Sequence, residues 1–102
     1  MASKKPIIRN DNIPDDIYVI SQGDGRAHMR WNSDIKSGYF FRVYTSDTEK
    51  GRFKQVAETK EGQLSAYIYG KGKKFVKVAS FRVKDKECSV MSHTFAIVNF
   101  GE

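Results

Sequence analysis

The amino-acid sequence predicts an all-β domain: one sandwich of two antiparallel sheets built from about seven strands. Three observations carry this expectation. Aromatic residues make up 13% of the chain and gather with valine and isoleucine in short runs, and such side chains fit a pleated, half-buried surface. Turn residues separate the runs at short spacing, the pattern of a sandwich rather than of alternating strands and helices. The length, 102 residues, allows a single domain with a modest core.

The first twelve residues read as an arm. Lys4, Lys5 and Arg9 flank Pro6-Ile7-Ile8, and Asn10-Asp11-Asn12 follows. Such a segment is either a frayed terminus or one that orders on a partner. The sandwich is expected over residues 13–102. Ile13-Pro14 leads into an apolar run at 17–20, and Gly23-Asp24-Gly25 forms the next turn. Residues 26–31 alternate: Ala27, Met29 and Trp31 share one face, and His28 and Arg30 share the other. Residues 39–44 form the strongest strand, after turns at 32–34 and at Ser37-Gly38. Weaker runs follow at 53–59 and, after Glu61-Gly62, at 63–69. A long apolar run occupies 75–83, the charged connection Lys84-Asp85-Lys86-Glu87 closes it, and 94–100 is the last strand. No helical period and no internal repeat interrupts this series.

Several of these segments together resemble one family. They are Ile13-Pro14 ahead of Ile17 and Val19, Trp31 at the end of the second strand, and Gly38-Tyr39 opening an alternating third strand. Lys74-Phe75-Val76-Lys77-Val78-Ala79-Ser80-Phe81 and the run 89–98 complete the set. Over residues 13–100 the chain resembles the fibronectin type III module, an immunoglobulin-like sandwich, particularly in its bacterial and phage forms. One departure stands out. The family places a tyrosine at the start of the sixth strand, whose hydroxyl holds the corner. Here that place falls on Lys74 or Phe75. With Val76 and Val78 inward, alternation puts Lys74 in register. Either the corner is held differently or the strand is shifted by one residue, which would exchange its two faces.

Catalytic and metal chemistry find no residue set here. Cys88 is the only cysteine, so no internal disulfide forms, which suits a reducing compartment. A zinc site takes about four ligands, and one cysteine with the two histidines His28 and His93 does not supply them. Asp15-Asp16 and the Asp47/Glu49 pair fall short of a calcium loop. Gly23-Asp24-Gly25 and Gly70-Lys71-Gly72 precede no helix, so they lack the mechanism of a phosphate cradle and read as turns. No cofactor and no enzymatic activity are expected. The net charge of +6 is spread along the chain rather than clustered on one face. That argues against nucleic acid and for an acidic protein surface as partner. No run approaches the roughly 20 apolar residues of a membrane span, and the first residues hold no apolar stretch long enough for a signal peptide, so none is expected.

The third strand is apolar on both faces. Tyr39, Phe41 and Val43 are expected in the core with Met29, Trp31, Val76 and Val78. Phe40, Arg42 and Tyr44 then point outward beside Phe75, Ala79 and Phe81. Antiparallel sheets commonly keep one face polar, so this outer face reads as a contact surface. The expected partner-binding residues are Phe40, Arg42, Tyr44, Phe75 and Phe81, with Lys4, Lys5, Ile7, Ile8 and Arg9 from the arm. The opposing reading is that the arm folds over these rings. The resemblance implies a non-catalytic structural or binding module, similar to free-standing accessory proteins that decorate the capsids or tails of tailed phages. Such a protein is made in the host cytoplasm without an export signal and ends up in the virion. Two alternatives stay open. One is a carbohydrate- or cell-surface-binding module using the tyrosines at 67–69. The other is an intracellular adaptor reading through the loop 45–51.

Overall fold

The computed structural model describes residues 8–9, 12–22, 24–35, 37–86, 88–89, 92 and 95–101. Among these, nine strand segments form: β1 (Ile8–Arg9), β2 (Asp15–Ser21), β3 (Arg26–Asn32), β4 (Tyr39–Ser46), β5 (Lys54–Glu58), β6 (Ser65–Tyr69), β7 (Lys73–Arg82), β8 (Cys88–Ser89) and β9 (Ala96–Asn99). The seven longer segments are the seven strands of the expected sandwich. The nine segments form a small sheet in the order β2-β3-β6 and a large one in the order β1-β8-β7-β4-β5, with β9 also on β7. All pairings among the seven are antiparallel. The two-residue β1 runs parallel to β8, with Ile8 opposite Cys88 and Arg9 opposite Ser89. That part of the expected arm is therefore held by the chain's own sheet edge. Lys4, Lys5 and Ile7 lie outside the described residues, as does His93.

The core follows from alternation. Ala27, Met29 and Trp31 of β3 face Tyr39, Phe41 and Val43 of β4 and Val76 and Val78 of β7, joined by Ile68, Val98 and Phe100. The β4–β7 register places Val43 opposite Val78 and Tyr44 opposite Lys77, so the sixth long strand is not shifted. At the site of the family's corner tyrosine, the Lys74 ammonium bonds the Asp47 carboxylate across β4. This pair links the start of β7 to the residue after β4 and leaves the Asp47 carboxylate largely exposed.

Hydroxyl side chains extend the ladder where strands stop pairing. The Val78 N–H donates to Ser92 Oγ at 3.2 Å, and the Ser92 N–H donates back to the Val78 carbonyl at 2.8 Å. Just beyond β5, the Phe41 N–H donates to Thr59 Oγ1 at 3.0 Å while the Thr59 N–H donates to the Phe41 carbonyl at 2.8 Å. A buried N–H stripped of its acceptor costs about 1–3 kcal/mol. Thr59→Val, nearly isosteric, is expected to lower stability by about that amount, whereas Thr59→Ser keeps the acceptor and stays near the parent. Urea midpoints of the two variants check this, and equal midpoints would refute it.

Candidate binding face

The side chains that β2, β3 and β6 turn away from the core gather on one surface. Turning Ile17, Val19, Ala27, Met29, Trp31, Ala66 and Ile68 inward leaves Tyr18, Ile20, His28, Arg30, Tyr67 and Tyr69 outward. Register then decides which of them meet. Tyr18 lies opposite Arg30 and Ile20 opposite His28; on the other side, His28 lies opposite Tyr67 and Arg26 opposite Tyr69. The large apolar groups are open to solvent: Tyr18 is 53% exposed, Ile20 48%, Tyr67 53% and Tyr69 68%.

These groups are also ordered against one another. The His28 and Tyr67 rings lie 4.7 Å apart. The Arg30 guanidinium sits 5.3 Å from the Tyr18 ring centre, and that of Arg26 lies 5.7 Å from the ring of Tyr67. Tyr18, Ile20, His28 and Arg30 enclose a shallow depression of about 220 Å³. The charged groups of β3 are basic, and the carboxylates lie at the margins. Neither β3 nor β6 contains a carboxylate residue. Asp16 of β2 accepts a hydrogen bond from Asn32, and Asp24 lies 3.8 Å from Arg26. Arg30 makes no ion pair among the described residues.

The surface expected from the sequence differs in accessibility. Phe40, Ala79 and Phe81 do point outward from the large sheet, beside Tyr44, but they form a closed second cluster. Phe40 and Phe81 stack at 5.3 Å and are only 8% and 7% exposed. Arg42 lies over them, its guanidinium 4.3 Å from the Phe81 ring centre, while its Nε bonds Glu58 at 2.7 Å. Lys86 covers Phe40 from 5.2 Å. The expectation of exposed Phe40 and Phe81 is thus corrected: alternation sets a side chain's direction but not what lies above it. Arg42 and Tyr44 are half-buried. Phe75 is half-buried too, edge-on to Phe95 at 5.3 Å with Lys73 5.4 Å from its ring centre. Ile8 and Arg9 are described as backbone only.

Among the described residues, no three of His, Cys, Asp or Glu come together to hold a metal ion. Asp47 has its pKa lowered below the ordinary aspartate value, first by the hydrogen bond from Lys74 and then by the charges of Lys74 and Lys54. Asp47 lies in a second open depression, of about 310 Å³, whose cations are Arg52, Lys54 and Lys74. Sequence reasoning had put His28 and Arg30 on one face and noted the tyrosines of β6. It missed that β3 and β6 pair in a register that joins them.

No protein-family model matches the chain, and no curated protein sequence does. Solved structures do. A Fn3-like protein from Clostridium thermocellum superposes with a TM-score of 0.71 at 14% identity, covering 92% of this chain and 97% of that one. A fibronectin type III domain of human fibronectin type III domain containing protein 3 gives 0.69 at 13% identity, over 100% of this chain and 94% of that one. The FN5 domain of Drosophila Lar gives 0.61 at 17% identity, covering 90% and 98%. The chain is similar to these domains in fold: it is an all-β, fibronectin type III-like sandwich.

Proposed function

We propose that this protein is a non-catalytic binding module that docks on a larger protein assembly through the outer face of β2, β3 and β6. One observation carries the reading: Tyr18, Ile20, Tyr67 and Tyr69 stand exposed together among Arg26, His28 and Arg30. Aromatic residues and arginine are the types enriched at interface centres. The arginines of β3 suit an acidic protein surface, which they would also steer toward encounter. The setting we propose is the capsid or tail of a tailed phage, supported by the sequence's resemblance to free-standing accessory modules. Synthesis in the host cytoplasm and final location in the virion follow from that setting.

Two measurements test this. Quantitative mass spectrometry of purified virions is expected to find the chain at a fixed ratio to the major capsid or tail protein; its absence overturns the phage setting. The paired change Ile20→Ser with Tyr67→Ser is expected to weaken retention on the assembly by at least about tenfold, since removing interface-centre side chains costs more than 1 kcal/mol each. Because both side chains are exposed, the melting temperature is expected to stay close to the parent. Unchanged retention would move the docking surface elsewhere.

A further inference from the structure

We propose that the depression between Tyr18, Ile20, His28 and Arg30 is a carboxylate-binding subsite that takes an aspartate or glutamate side chain of the partner protein. This rests on the docking reading above and adds its chemistry. Arg30 is the centre of the subsite. Its guanidinium lies over the Tyr18 ring at 5.3 Å, and stacking of this kind orients the planar group. Arginine has N–H donors and no acceptor, and its fork matches a carboxylate in bidentate geometry. Three other arginines already face a carboxylate: Arg42 pairs with Glu58, Arg82 with Asp85, and Arg26 approaches Asp24, while Arg52 lies in the other depression, away from any stacking tyrosine ring. Arg30 makes no such pair among the described residues and is exposed.

The walls narrow the ligand class. About 220 Å³ has room for a single side chain. Ile20 supplies an apolar wall on which the methylenes of a glutamate can rest, and His28 adds a ring N–H opposite it. A neutral sugar fits less well. Its hydroxyls offer only neutral acceptors, whereas a carboxylate gives the Arg30 guanidinium charge-assisted, bidentate hydrogen bonds. Charge complementarity therefore favours an acidic protein segment.

The test is an NMR titration of the full chain at low salt with a hexaglutamate peptide, and with hexaglutamine as its uncharged counterpart. Hexaglutamate is expected to move the Arg30 Nε–H resonance and the backbone amides of Tyr18, Ile20 and His28, with a millimolar dissociation constant that weakens as salt is added. Hexaglutamine is expected to move none of them. Arg30→Gln is expected to weaken hexaglutamate binding at least about fivefold, whereas Arg52→Gln leaves it unchanged. Shifts centred on Arg52, Lys54 and Lys74, or equal responses to the two peptides, overturn the subsite. Tighter binding of a glucuronate oligosaccharide than of hexaglutamate also overturns it, by assigning the pocket to acidic sugars. The docking reading fails separately, when the Ile20→Ser and Tyr67→Ser pair leaves retention on the assembly unchanged.

Discussion

Phe41→Ala is expected to destabilise the domain by about 3–5 kcal/mol, which takes most of the stability of many domains this size. Phe41 sits in β4, fully buried, with its ring edge-on to Trp31 at 5.7 Å. Trp31 belongs to the small sheet and Phe41 to the large one, so the pair ties the two layers together. Truncation removes the transfer energy of the ring and leaves a cavity that neighbours on two sheets cannot fill together. At about 4–8 °C per kcal/mol for a domain of this size, the melting temperature is expected to fall by at least about 12 °C. Calorimetry reads this directly, and a fall of under 5 °C would show that the layers are not locked at this point. Tyr18→Ala, on the exposed face, is expected within about 0.5 kcal/mol of the parent and serves as the contrast.

Gly70→Ala is the second substitution with a large expected effect, although it adds only one methyl group. A Cβ at Gly70 would stand 2.9 Å from Cε2 and 3.0 Å from Cδ2 of Phe100. That ring has nowhere to retreat. Phe100 is fully buried, its N–H donates to the Gly72 carbonyl, and its own carbonyl accepts from the Gly25 N–H. The Gly70 N–H in turn donates to the Gly25 carbonyl, so three glycines and one phenylalanine clamp the end of the sandwich. Overpacking a site fixed in this way costs about 1–3 kcal/mol. Phe100→Leu, destabilising alone, is expected to recover part of the loss when combined with Gly70→Ala. A double-mutant cycle from guanidinium melts measures that coupling, and strict additivity would refute the clash.

The division between inside and outside was legible in the sequence because it depends on period alone. Ala27, Met29 and Trp31, then Tyr39, Phe41 and Val43, then Val76 and Val78, all reach the single core that their spacing implied. The register at Lys74 stayed open in the sequence and is decided by the pairing of β4 with β7; its partner Asp47, 27 residues away, was not legible either. The candidate face was legible only in fragments. Tyr18, His28, Arg30 and Tyr67 lie on three strands, and only the pairing of β3 with both neighbours makes them one surface. The burial of Phe40 and Phe81 depends similarly on where Arg42 and Lys86 come to rest, which no local pattern encodes.

The cations above the rings of the large sheet have a consequence for the protein in concentrated solution. Arg42 over Phe81, Lys77 over Phe53, Lys73 over Phe75 and Lys86 over Phe40 place positive charge on the outside of an aromatic face. Bare, such a face would invite copies to stack and precipitate. Covered, it meets a second copy with like charges, and each cation would have to leave its ring and its water before contact could form. The same roof that closes the second cluster is therefore expected to act as a colloidal barrier. It is strongest in dilute salt and fades as the screening length shrinks to about 10 Å near 0.1 M.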